Sequence, residues 1–380
     1  RAGTTEIEFL DEKGELQLFP RKKVQTLSGP RAEYAEYLER LQRAYSDRGG
    51  VEEAFAFATW CRARGYARDA ELAWWRTLAL DPTHSGAHQA LGHRAQGEIW
   101  IAPLEDDKIA AWPDLLRLRA QAEHPWRFTT MHFNVEVSGP LDRAVIAAAA
   151  AEFLYAKLYA LFQERGTWWD LRQPILVRIW SARNAGYPGL DPRSTGHWDR
   201  STHTLHTWFA AEESALRPVR YEALLAEAVL SSACEELSRS APDLPAWLLV
   251  GSGRLLEAGT LWGSGLPSCD PERAARSFVE LHAGLEPMAS ASAVAVAARA
   301  EFTGPRADAW QAQAYTLLHF LCFPQAPEWE AGFTLFLQEA VRNRGGGSAF
   351  RTAFGEQVPA LDAAWQAWVR REGAARAGAR

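Results

Sequence analysis

The chain is short of the residues that metal and redox chemistry need. Its 380 residues include four cysteines and ten histidines. Cys61, Cys234, Cys269 and Cys322 are scattered and form no C-x-x-C, which excludes a zinc ribbon and a dithiol redox motif. They read as buried thiols, since free cysteine packs as a small hydrophobe; a single disulfide stays open. No histidine lies between His206 and His282. G-x-S-x-G, P-loop and dinucleotide fingerprints are missing. Gly345-Gly346-Gly347 lacks the lysine and the strand–helix setting of a phosphate loop and reads as a turn between helices. No apolar run reaches the roughly 18 residues of a membrane span, and the alanine-rich stretch 144–151 is short and flanked by charge. Excess charge of one sign is lacking too. Lys and Arg number 41 against 47 Asp and Glu, interspersed, so nothing resembles the electrostatic footprint of a nucleic-acid binder.

What is present suits a globular protein with a large core and two or three domains: 47% hydrophobic and 23% charged residues. Seventeen tryptophans, mostly at helical spacing beside Leu and Ala, read as core. The chain opens on Arg1 rather than Met. A removed signal peptide is the expected reason, and with it a periplasmic or secreted location; an artificial start and a cytoplasmic location are the alternative.

The texture predicts an α+β, mostly helical fold. Residues 1–30 form a short β segment, with two strands around Asp11-Glu12-Lys13-Gly14. Residues 31–105 are helical, with faces marked by Tyr34/Tyr37/Leu41, Ala54/Phe57/Cys61 and Ala70/Trp74/Leu78, punctuated by Gly65 and Asp81-Pro82. This layout resembles about one and a half tetratricopeptide-like units. Residues 106–125 read as a helical linker. From Trp126 a strand precedes a long helix over 141–165, then come a strand over 174–180, a loop over 185–200 and a strand over 203–208. Everything after about 270 is helical, and 373–380 is expected to be a flexible tail.

Residues 221–257 read YEALLAEAVLSSACEELSRSAPDLPAWLLVGSGRLLE. This segment resembles the centre of gluzincin-type, peptidase-MA-like zinc metallopeptidases, and the resemblance covers about residues 31–370. In exported bacterial proteins of that kind a helical module precedes the peptidase-like domain, so 126–372 is expected to be a degenerate gluzincin-like domain. There an HExxH helix supplies two His ligands and a general-base Glu, and a P-x-W-L-x-E-G helix supplies a Glu ligand. The aligned positions are Ala226, Glu227 and Leu230, then Val250 beside Gly251. Only Glu227 survives. Slipping the register onto Tyr221, Glu222 and Leu225 recovers no histidine. Zinc needs three protein ligands and a water, and Ala, Leu and Val have no lone pair to give.

The resemblance makes the 203–208 strand a substrate-holding edge strand. It also places a Tyr or His from a later helix near an oxyanion, here Tyr315 and His319, which can equally be packed core. His203, Leu205, Trp208 and Trp247 complete the candidate cleft lining. His84, His88 and His93 have helical spacings four and five apart but no carboxylate or Cys to complete a metal set. His203 and His206 point to opposite faces of a strand. The expectation is a pseudoprotease with no cofactor, a scaffold or binding component for a protein or peptide partner. The alternative is a hydrolase or peptidase with a rebuilt site. Oligomeric state cannot be read from the sequence.

Overall fold

The computed structural model describes residues 6–10, 16–20, 30–46, 49–105, 108–162, 171, 173–181, 196–209, 222–235, 244–257, 277–281, 288–322, 327–342 and 346–378. The expected turn at 11–14, most of the loop at 185–200, Tyr221 and Gly345 lie outside them. The chain divides into two units, Arg1–Leu41 and Gln42–Arg380. The fold is α+β and mostly helical, as the sequence predicts.

In the first unit β1 (Glu6–Leu10) and β2 (Leu16–Pro20) pair antiparallel, Glu6 opposite Pro20 and Leu10 opposite Leu16. Helix α1 runs Pro30–Tyr45. In the second unit α2 (Val51–Ala63) and α3 (Ala67–Leu80) form a hairpin. The link needs Gly65, whose φ of +83° is a left-handed conformation that glycine adopts without strain. The Glu53 carboxylate accepts the Gly50 N–H at 2.9 Å and closes the start of α2. Helix α4 (Ser85–Ala90) is capped by His84, whose Nδ1 accepts the Ala87 N–H.

Residues 94–96 and 99–103, in the segment read as helical, and 109–111, in the stretch read as a helical linker, are strands instead. Strands β3 (Arg94–Gln96), β4 (Ile99–Pro103) and β5 (Ile109–Ala111) make a small antiparallel sheet, and α5 (Trp112–Arg119) follows with Pro113 in its first turn.

A five-stranded sheet organises the next region, in the order β6 (Trp126–Thr129), β7 (Phe133–Val137), β8 (Ile175–Trp180), β10 (Thr204–Trp208), β9 (Gly196–Asp199). The two outer pairs are antiparallel, while β7–β8 and β8–β10 are parallel. A parallel neighbour needs a crossover, and α6 (Leu141–Phe162) supplies it between β7 and β8. Among the described residues α6 alone is long and apolar enough to cross a membrane, because Phe153, Leu154 and Leu158 extend the alanine run. Yet 78% of its most apolar window is buried inside the protein, against α3, the sheet and the helices that follow. Burial alternates residue by residue along β7 and β8, as the sequence pattern requires.

Two expectations are corrected here. The 203–208 strand is not an edge strand: β10 lies between β8 and β9. The outermost position belongs to β9, within the stretch read as loop. There Gly196 lets β9 close onto β10, since a Cβ would meet the His206 carbonyl oxygen at 2.3 Å.

Further helices are α7 (Glu222–Glu235), α8 (Ala246–Glu257), α9 (Ala291–Val296), α10 (Ala307–Cys322), α11 (Glu330–Val341), α12 (Gly346–Phe354) and α13 (Val358–Gly378). Helix α8 packs between α7 and α10 at glycine contacts. A Cβ on Gly253 would meet the Ala223 Cα at 2.5 Å, and one on Gly251 the Ala314 carbonyl oxygen at 2.8 Å. The expected tail is helix as far as Gly378, and the Arg376 guanidinium lies 4.6 Å from the Phe278 ring. Cys61 and Cys322 are buried free thiols.

Candidate functional site

A cleft of about 570 Å³ opens where α7 and α8 meet the segment after α9. Ala223, Leu224 and Glu227 of α7 form one wall, and Leu249 and Val250 of α8 a second. The third is the run from Ala295 to Arg299, with Phe302 and Thr303 beyond it. Ala297 and Ala298 are extended, with ψ of 132° and 156°. Arg200, just after β9, and Gly346 and Gly347, which start α12, complete the rim.

Glu227 is 8% exposed, and both carboxylate oxygens are held by one guanidinium. Arg299 Nη1 donates to Oε1 at 2.6 Å and Nη2 to Oε2 at 2.5 Å. Such a bidentate pair is the stronger, geometrically fixed form of the interaction. The Arg299 side chain is 63% exposed, so the pair joins a sealed carboxylate to an open cation.

The predicted site residues divide. Glu227 and Val250 do meet at the cleft. Ala226 and Leu230 do not line it: both are buried in the core, on the part of α7 turned from the cleft. The pair four residues apart that faces the cleft is Ala223 and Glu227. Leu225, in the slipped register, is also sealed.

None of the six expected lining residues borders this cleft. Leu205 and Trp247 are core side chains, Trp247 against Phe336. His203 occupies the turn before β10 with φ of +48° and its ring edge-on to Trp198. Trp208 ends β10 opposite Trp180. Tyr315 and His319 are buried with Phe278, and His319 stacks on Trp368. Burial, helped by the Arg376 charge, pushes the His319 pKa down to about 4. Leu205, Trp247, Tyr315 and His319 fail as lining because the sheet, α8 and α10 turn these side chains inward, while His203 and Trp208 sit half-buried at the two ends of β10.

The helix histidines form a different structure. His88 Nε2 lies 2.9 Å from the Pro82 carbonyl oxygen, which can only accept, so this nitrogen carries a proton. Neutral His88 then accepts at Nδ1 from the His93 Nδ1–H, 2.7 Å away. Trp75, Trp100 and Trp112 surround the two rings, with Trp100 stacked on His88 at 4.4 Å. Burial lowers both pKa values, and His93 falls to about 4, with the neighbouring His88 as the second cause.

Zinc, which the resemblance implies, is not matched by the donors that the described residues bring to the cleft. Ala223, Leu224 and Val250 offer no lone pair, and Glu227 is already committed to Arg299. Among the described residues no group of three or more His, Cys, Asp or Glu is placed to hold a metal. Sequence reasoning missed Arg299, 72 positions from its partner and in no motif, and it missed Arg200. No family model matches the chain, and no curated protein matches it.

Proposed function

We propose that the protein is a pseudoprotease: a gluzincin-like frame without peptidase chemistry, whose cleft beside Glu227 receives an extended segment of a partner protein. The observation that carries this reading is the bidentate Arg299–Glu227 pair. In a zinc peptidase the glutamate must take a proton from a metal-bound water, so its lone pairs must be available and a dication must be near. Here a guanidinium balances the carboxylate charge and occupies both oxygens. Val250, at the aligned ligand position, lends the wall apolar surface instead of a donor.

On this reading the helix face at the cleft favours another register for the likeness to HExxH. The helix face turned to the cleft begins at Ala223 and returns at Glu227, three residues before the alignment on Ala226 and Leu230. On Ala226 and Leu230 both ligand positions are apolar; on Ala223 and Glu227 one is apolar and the other is a carboxylate already held by Arg299.

The test joins metal analysis to a turnover assay. Purified protein is expected to carry no stoichiometric zinc, to cleave no member of a quenched-fluorescence peptide library, and to bind members of that library. About one zinc per chain, lost on changing Glu227 or Val250, would overturn the proposal. So would library cleavage abolished by Glu227→Gln.

A further inference from the structure

We infer that the occupant of the cleft is an acidic one: a short extended segment carrying one Asp or Glu flanked by aliphatic residues, its carboxylate docking at Arg200 and Arg299. This inference rests on the binding reading above and specifies its ligand.

Charge is the first argument. Among the described residues, two arginines and one glutamate line the cleft, and the glutamate is engaged by one of the arginines. Among the described residues no acidic side chain pairs with Arg200; the adjacent Asp199 instead accepts from Ser201 and Thr202. Among the described residues the Arg200 charge is therefore left without a counter-charge at a concave site, where field lines concentrate and attract the opposite sign. The amino end of α12 borders the same space, and its partial positive charge acts in the same direction.

Apolar surface is the second argument. Val296 is 62% exposed although it is a large aliphatic residue on the cleft wall. Leu249, Val250 and Phe302 add to the same lining. A small anion would leave this surface wet, whereas a segment with aliphatic neighbours beside its carboxylate covers it. Shape is consistent with a chain: the wall at Ala297–Ala298 is itself extended, and the volume holds a few residues.

Glu227 then acts as a competitor. An incoming carboxylate meets Arg299 already engaged, so the partner must displace Glu227 or share the guanidinium fork. Removing the Glu227 charge should tighten binding rather than weaken it, opposite to what a purely structural role predicts.

The experiment uses a positional-scanning hexapeptide library with acetylated and amidated ends, so that no terminal carboxylate contributes, read by fluorescence polarisation on the full chain. The inference expects Asp and Glu to be enriched at one position. It expects about tenfold weaker binding of the selected peptide to Arg200→Gln, which corresponds to about 1.4 kcal/mol. It also expects several-fold tighter binding to Glu227→Gln. Melting curves confirm that both variants fold. Binding without acidic preference would overturn this inference and leave the pseudoprotease reading standing. No binding by any member would overturn both. Full competition by millimolar acetate or phosphate would show a bare anion site and overturn the inference.

Discussion

Two glutamates on successive long helices, Glu152 of α6 and Glu227 of α7, are both nearly sealed, at 2% and 8% exposed. Their partners differ. Glu152 accepts the His132 backbone N–H at 2.6 Å and the His132 Nδ1–H at 2.8 Å, and the Tyr155 ring lies on that imidazole at 3.6 Å. Everything around it is buried, so the carboxylate ties α6 to the β6–β7 turn. Glu227 is answered by a guanidinium standing mostly in water. A carboxylate whose donors are buried belongs to the fold, while one whose donor is solvated can exchange partners. The same side chain on the same kind of helix thus serves stability in one place and, in the proposed function, recognition in the other.

The largest effect is expected at the sealed site. Glu152→Ala should cost about 3 kcal/mol in urea denaturation, because it orphans a buried N–H and a buried imidazole together. A loss under about 1 kcal/mol would remove the fold-building half of the comparison.

Acid sharpens the comparison next. A histidine whose folded pKa lies below its unfolded value contributes stability above the unfolded pKa, near 6.5. That stability is lost as pH falls toward the folded pKa. With His93 and His319 both near 4, stability should fall between pH 6.5 and 4, by about 1 kcal/mol per histidine at pH 5.5. Asp81 and His84 are the charged groups felt by the His88–His93 pair, and Arg376 the one felt by His319. Neither site lines the cleft, so melts recorded across pH should flatten in His319→Leu or His93→Gln and keep their slope in Glu227→Gln.

At the open site the effect on stability is smaller. Glu227→Gln should cost about 1 kcal/mol, since Gln keeps one hydrogen bond in the buried position and the Arg299 side chain is 63% exposed. A cost equal to that of Glu152→Ala would place both carboxylates in the same structural role. The smallest expected effect is that of a chelator: with no donor set among the described residues, EDTA should leave the melting temperature unchanged, and a large drop would mean that folding depends on a metal.

The sequence announced the helices and the inward faces of β7 and β8, because both follow from the spacing of apolar residues along one stretch of chain. It also marked Glu227 and Val250 as neighbours of one site. It did not mark Arg299, since an ion pair across 72 residues leaves no local period. It hid β9 behind Gly196, a residue that usually signals a loop and here permits a close strand contact. It misplaced Tyr315 and His319, because four-residue spacing says that two side chains share a helix face but not whether that face meets a cleft or a core. Ala226 shows the same limit: one residue from Glu227 on α7, it faces the interior.

Gly253 carries a further consequence. It does not border the cleft, yet it sets the distance between the helices that do. A methyl group there would push against the Ala223 Cα, so α7 would have to stand off from α8 and take Glu227 with it. The bore of the cleft is therefore gauged by a hydrogen atom behind its wall. Substitution at that hidden spacer would change the width of the cleft while every residue that lines it stayed the same.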